Sequence, residues 1–540
     1  MTDIEKDILY TNIPEKQYAE KVAIDHRKKY AQFFTPFPVA LFMAKWITSA
    51  ENCSKILEPA FGLGIFSRAM LKLKDENLKI VGFETDNVIL KEATIIVKPL
   101  SDKGRIEIID QDYLYSEWED KYDGILCNPP YFKFHDYDNK SALNEINRKL
   151  GISLNGFTNL YALFLLKSIY QLNDKGRAAY IIPSEFMNSD YGKNVKSFLL
   201  KSNTLRYVII FDFNENLFDD ALTTASILLL AKDNCHKEVK FITVQSKEDV
   251  DLLSQMIETY PAETNLRSVK TFKTESINAD LKWRSYYKNS VAGKYKNLVP
   301  LSLYGKVVRG IATGDNDYFI FNREKQKKYS IKNEYLLPCI TKANDVSVFF
   351  FTKEHFEKLK DTNKNIFLID LNKAQDKNLF EYIRIGEEKG VHKKYLTSKR
   401  NPWYALENRP PSPIWISVFN RKEAKFIRNE AAIYNLTAFH CMYMDMLYES
   451  ETDLLFAYLL TDIAKEIIND NRREYGNGLK KFEPNDLNHS KMVDLKSLDR
   501  DLRAEILQYY QGVRKSEADK TESSNYLHKL NEIFERILKN

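Results

Sequence analysis

Lys55-Ile56-Leu57-Glu58-Pro59-Ala60-Phe61-Gly62-Leu63-Gly64 reads as a short apolar strand that ends on a carboxylate and turns through two glycines into a helix starting near Ile65. Gly62 and Gly64 would let the backbone turn sharply and approach a ligand closely. A glycine pair alone is equally a plain strand-to-helix turn. Short apolar runs recur downstream between helix-length amphipathic stretches, at Lys79 to Glu84, Ile106 to Ile109, Gly124 to Leu126, Ala178 to Ile182 and Tyr207 to Phe211. This alternation predicts an α/β fold with a mostly parallel, Rossmann-like sheet covered by helices on both faces. The next two runs, Ala225 to Leu230 and Val239 to Val244, are joined by a short polar segment around Asp233 and Asn234, which suits a hairpin at one end of the sheet.

In open α/β sheets ligands bind outside the carboxyl ends of the strands, so chemistry is sought just after each run. Glu84 closes the second run, about 20 residues beyond Gly64, where Rossmann-like folds place a carboxylate on ribose hydroxyls. The third glycine of a dinucleotide fingerprint is missing, with Ser67 in its place. The cofactor is therefore not expected to be a dinucleotide.

The fourth run ends in Asn128-Pro129-Pro130-Tyr131, followed by Phe132. From average residue usage this tetrapeptide arises by chance in about one chain in several hundred of this length. As a bare proline turn it explains neither its position nor its neighbours. As a site it has a physical basis. An aromatic amine such as adenine N6 is a poor nucleophile because its lone pair is delocalised into the ring. The Asn128 side-chain oxygen and the Pro129 carbonyl could accept its two N–H groups and favour a pyramidal nitrogen. Consecutive prolines aim that carbonyl in advance, and Tyr131 offers a flat face on which a base can stack.

With these motifs in this order, the first 250 or so residues resemble the gamma class of amino-methyltransferases, the TaqI-like DNA N6-adenine branch of restriction-modification systems. The resemblance implies S-adenosylmethionine as cofactor and a Rossmann-like methyltransferase sheet followed by a second, mixed α/β target-recognition domain. Gln32-Phe33-Phe34-Thr35-Pro36 is similar to the family's motif X, whose Thr and Pro, here Thr35 and Pro36, hold the methionine carboxylate. Glu58 and Pro59, with Ala60, Gly62 and Gly64, match motif I beside the methionine moiety. Glu84 matches the ribose ligand, and Asp112-Tyr113 resembles the pair that binds and flanks the cofactor adenine. Gly176 to Ser184 resembles the family's next strand, and Phe218 its second aromatic against a flipped base, though Phe218 equally suits a core position.

Beyond Leu253 the character changes, and residues 1–255 are expected to form the catalytic domain, 256–290 a connection, 291–498 a target-recognition domain and 499–540 C-terminal helices. Arg309 to Asn316, Asn401 to Tyr404 and Tyr475 to Pro484 resemble elements of the family's recognition region. Basic residues interleaved with aromatics recur there, from His392 to Arg400 and from Arg421 to Arg428, and could neutralise phosphates of double-stranded DNA. A charge run taken singly is more often a solvated face.

Lys and Arg total 80 against 75 Asp and Glu, so any basic surface must come from such local clustering. The five cysteines are scattered without metal or redox spacing, so no metal site is expected. The charged start lacks a signal-type apolar segment and the most apolar run, Ala225 to Ala231, is too short to span a membrane; a cytoplasmic protein is expected. About thirty residues precede Gln32, too few for a nuclease, so a cognate endonuclease would act separately. Alternatives are N4-cytosine methylation, whose family more often carries Ser in place of Asn128, and glutamine methylation of a protein, which needs no large C-terminal domain.

Overall fold

Neighbouring side chains of the first strand point into different cores, with Ile56 in one apolar layer and Leu57 in the other. Both layers are buried, which is why the strands read as continuous apolar runs. The computed structural model describes the chain except residues 1–7, 75–76, 102–103, 133–136, 138–139, 190, 212–224, 234–236, 245–246, 263–268, 289–290, 374–375, 421–423, 472, 475–479 and 540. Two units are distinguished, Met1–Asn289 and Ser290–Arg473 with Leu479–Asn540.

The first unit carries β1 (Lys55–Glu58), β2 (Lys79–Glu84), β3 (Ile106–Asp110), β4 (Tyr122–Cys127), β5 (Leu172–Pro183), β6 (Leu205–Phe211), β7 (Ala225–Ala231), β8 (Glu238–Val244) and β9 (Val269–Lys273). Their order in the sheet is β3-β2-β1-β4-β5-β7-β6-β8-β9. Strands β1 to β5 run parallel, so Glu58, Glu84 and Asn128 emerge along one edge. Strand order reverses between β1 and β4, which opens the crevice expected at a topological switch point.

Two expectations are corrected. The runs Ala225 to Leu230 and Val239 to Val244 do not form a hairpin. β7 is antiparallel to both β5 and β6, while β8 lies on the far side of β6 and parallel to it. The connection after Ala231 needs to cover only two strand spacings, roughly 10 Å, so its shortness does not require adjacency. The stretch 256–290 is also more than a connection. It supplies β9, antiparallel to β8, and the fully buried Trp283, whose ring meets Phe241 edge-on at 5.7 Å. Burial of that indole ties the segment to the first unit's core.

In the second unit, strands Gly305–Arg309, Phe439–Met444, Ile414–Ser417, Phe426–Asn429 and Phe350–Phe351 form a five-stranded sheet in that order. Helices Arg500–Ala518 and Ser524–Lys539 pack on Thr452–Leu460 through Ile506, Tyr510, Phe534 and Leu538. Several basic residues expected to meet phosphates are engaged inside this unit. Arg400 donates to the Thr313 carbonyl at 2.8 Å and to that of Ala312, Lys394 pairs with Asp315 at 2.7 Å, and Arg428 pairs with Asp453 at 3.0 Å. The Arg400 and Lys394 contacts join the Arg309 to Asn316 turn to the segment before Asn401. Lys399 instead lies 3.8 Å over the ring of Tyr395, which is 67% exposed. Arg421, Lys422 and residues 475–479 of the third element fall outside the described residues. No helix among the described residues is long and apolar enough to cross a membrane.

Candidate active site

The turn after β1 places both glycines in the left-handed region, Gly62 at φ 54° and Gly64 at φ 70°. A side chain at Gly64 would strike the Phe61 ring at 2.7 Å. The Gly64 amide donates to the Phe61 carbonyl at 2.8 Å, closing a tight loop that starts helix Ile65–Leu73. Glu58 turns back onto that helix start. Its buried carboxyl accepts from the Ser67 amide at 2.9 Å, the Phe66 amide at 3.3 Å and the Ser67 hydroxyl. Burial pushes its pKa up to about 8 against the pull of those donors.

Glu84, at the end of β2, accepts from the Gly62, Thr85 and Asp86 amides, each at 2.9 Å. A carboxylate offers about four acceptor positions, so roughly one remains for a ligand hydroxyl. Burial raises its pKa and these amides oppose the shift. Asp112 accepts from the Leu114 amide at 2.9 Å and the Tyr137 hydroxyl at 2.6 Å, which leaves about two positions for an amine. Next to it Tyr113 is buried, its hydroxyl bonded to Gln171 at 2.6 Å and Ser168 at 2.9 Å. Lys167, fully buried, donates to the Tyr113 carbonyl at 2.7 Å and the Ser116 carbonyl at 2.8 Å, fixing the turn that presents Asp112. Burial lowers the Lys167 pKa to about 8.

At the end of β4, the Asn128 amide nitrogen donates to the Phe33 carbonyl at 2.8 Å and the Thr35 hydroxyl at 3.0 Å. A carbonyl can only accept, so Phe33 decides which way the amide faces. The nitrogen is anchored and Oδ1 remains as an acceptor with no donor among the described residues. The Thr35 segment is itself held by Asn12, which donates to the Thr35 carbonyl at 3.0 Å and accepts from the Phe37 amide at 2.6 Å. Tyr131 donates its hydroxyl to the Ile181 carbonyl at 3.2 Å, and its ring stacks on Phe33 with centroids 5.9 Å apart and planes 23° apart.

One pocket is lined by Thr35, Glu58, Pro59, Ala60, Gly62, Glu84, Asp112, Tyr113, Asn128 and Pro130. Pro36, Gly64, Pro129 and Tyr131 are not on that lining. Pro36 and Gly64 instead lead into helices Phe37–Thr48 and Ile65–Leu73. Phe218 lies outside the described residues. The motif reading passed over Phe33, Tyr137, Lys167 and Glu15, although Phe33, Tyr137 and Glu15 line the pocket and Lys167 supports it. Phe33 could have been found from its place in the Gln32 to Pro36 block. A lysine on the apolar helix Leu160–Gln171 carries no comparable local signal.

The family model for N-6 DNA methylase matches residues 16–283, and that for the C-terminal domain of the Type II methyltransferase M.Eco57I matches residues 289–525. The Type II methyltransferase M.AccI of Acinetobacter calcoaceticus is 51% identical over 528 residues, covering 97% of each chain. The Type II methyltransferase M.HindII of Haemophilus influenzae is 24% identical over 427 residues, covering 76% of this chain and 75% of its own. Among solved structures, the Type IIL restriction-modification enzyme MmeI in complex with DNA matches at a TM-score of 0.53 and 14% identity, over 99% of this chain and 75% of that one.

Proposed function

The chain belongs to the N-6 DNA methylase family of Type II methyltransferases, acting with S-adenosylmethionine, and from that premise we propose that it methylates N6 of an adenine swung out of duplex DNA onto Asn128, Pro129 and Tyr131. The observation that carries this reading is the orientation of Asn128, whose nitrogen is tied to Phe33 and Thr35 while Oδ1 is left as an acceptor. The remaining acceptor positions of Glu84 and Asp112 suit a ribose hydroxyl and the adenine amine of the cofactor, and Gly62 leaves its backbone open to a close approach. The cofactor supplies a methyl group already activated by a sulfonium leaving group.

Asn128 Oδ1 and the Pro129 carbonyl accept from the two N–H groups of the amine and localise its lone pair for attack. The Asn128 nitrogen keeps Oδ1 in place without reorganisation, because both its partners belong to a segment clamped by Asn12. Tyr131, tethered at Ile181, holds the base by stacking, with Phe33 behind it, and Phe218 is assigned, from its resemblance alone, as a second aromatic against the base. Thr35, Pro36, Glu58, Pro59 and Ala60 surround the methionine end, and Tyr113 with Asp112 the adenine end. Residues 291–498 are assigned to target recognition, and a separate cognate endonuclease and a cytoplasmic location fit a modification enzyme.

An amine inside a stacked pair cannot reach the donor, so extrusion is required. With 2-aminopurine at the target position, fluorescence rises on binding, and Tyr131→Ala weakens binding of the extruded base by about 1 to 3 kcal/mol of stacking. A confirmed target position with no fluorescence change rules extrusion out.

A further inference from the structure

Glu15, on helix Ile13–Lys21, is 3% exposed and lines the same pocket. One of its carboxylate oxygens pairs with Arg68, a fully buried guanidinium that also donates to the Leu9 carbonyl at 2.7 Å and the Thr11 carbonyl at 3.1 Å. The other oxygen, Oε2, is buried and, among the described residues, accepts from no other residue, although the Glu15 amide itself also interacts with the carboxyl. An unsatisfied acceptor on a buried carboxylate is costly, and a cationic donor is the partner that relieves it best. Burial already raises the Glu15 pKa despite Arg68.

The position of this oxygen narrows the donor. Arg68 follows Ser67, whose amide and hydroxyl donate to Glu58, and it pairs with Glu15, which places the pair at the Glu58 end of the pocket. There the Glu58 carboxyl is largely occupied by the Phe66 and Ser67 donors, and the Thr35 hydroxyl accepts from Asn128. We infer that Glu15 binds the α-ammonium group of the cofactor's methionine moiety through Oε2, with Arg68 holding its other oxygen. This rests on the reading of the pocket as the S-adenosylmethionine site. Motif X alone then does not account for recognition of the amino-acid end. A residue upstream of it distinguishes the complete cofactor from its adenosine thioether fragment.

The test compares two probes by calorimetry on the full chain. S-adenosylhomocysteine carries the ammonium, and 5′-methylthioadenosine lacks the whole amino-acid end. In Glu15→Gln the affinity for S-adenosylhomocysteine is expected to fall about tenfold or more, the scale of one charged hydrogen bond, while that for 5′-methylthioadenosine stays within about twofold. Because Glu15→Gln also loosens Arg68, Glu15→Asp provides the second variant. It keeps the charge beside Arg68 but withdraws the oxygen, and should lower the same ratio. An unchanged ratio of the two affinities in either folded variant overturns the inference. Wild-type protein that binds neither probe overturns the pocket reading itself, a result distinct from loss of discrimination at Glu15.

Discussion

The two ends of the pocket are built differently. On the side assigned to the cofactor, each carboxylate takes amides from its own turn or the helix that follows, joined by the Gly62 amide for Glu84 and the Tyr137 hydroxyl for Asp112. Glu58 takes Phe66 and Ser67, Glu84 takes Gly62, Thr85 and Asp86, and Asp112 takes Leu114. On the base side the partners are remote. Asn128 depends on Phe33 and Thr35, 95 and 93 positions away, and Tyr131 on Ile181, 50 positions away. The carboxylates assigned to the ribose and adenine of the cofactor thus draw most of their donors from nearby backbone, whereas Asn128 is oriented only when the Phe33 to Thr35 segment docks on the sheet. The contrast teaches that binding of the donor and readiness of the acceptor can be perturbed separately.

The largest effect expected concerns Glu58 and acts through the cofactor side. Its folded pKa, about 8, lies above the ordinary 4.5, so the folded state binds the proton more tightly. The stability this contributes is fully present below about pH 4.5 and is lost as pH rises through about 8, a change of up to about 5 kcal/mol at 1.36 kcal/mol per unit. Glu58→Gln keeps an uncharged acceptor and should remove that part of the slope in denaturant unfolding of the cofactor-free protein. An unaltered slope would mean that Glu58 is not the titrating group.

A smaller effect is expected at Glu84. Glu84→Gln should weaken cofactor binding by about 1.5 to 3 kcal/mol, roughly 10- to 150-fold, with DNA affinity little changed. Equal losses for both ligands would remove the separation of the two ends.

The smallest change separates two roles for Thr35. As a holder of Asn128 it contributes one neutral hydrogen bond, so Thr35→Val should lower turnover at saturating cofactor by about 0.5 to 1.5 kcal/mol, apart from any loss of cofactor affinity at the methionine end. Thr35→Ser should restore turnover. If cofactor affinity falls and turnover at saturation does not, Thr35 is a ligand of the methionine carboxylate and Asn128 is held by Phe33 alone.

The same contrast explains what could be read from the chain. The parallel half of the sheet was legible because its strands are apolar runs, three of which lead straight to a chemically distinctive residue, Glu58, Glu84 or Asn128. The antiparallel half was not. β7 is apolar on both faces like its neighbours, and nothing local states that it inserts between β5 and β6. Likewise Trp283 lies in a polar stretch whose composition suggests a linker, and its burial depends on Phe241 from β8. Asn128 was recognised from its motif, but the orientation of its amide depends on a carbonyl 95 positions earlier that any residue type would supply. Glu15 was invisible for a related reason, since its partner Arg68 lies 53 positions away and neither belongs to a motif.

The central claim is that Asn128 Oδ1 activates the amine while the cofactor side stands independently. Single-turnover methylation of duplex DNA at saturating S-adenosylmethionine tests it most directly, with Asn128→Ala compared against wild type and cofactor affinity measured on the same preparations. The account predicts N6-methyladenine as the wild-type product, a rate lower by roughly two to three orders of magnitude in the variant, the scale of one lost preorganised contact, and cofactor affinity preserved within about threefold. A variant that methylates at the wild-type rate, or a wild-type product methylated on cytosine, would contradict it.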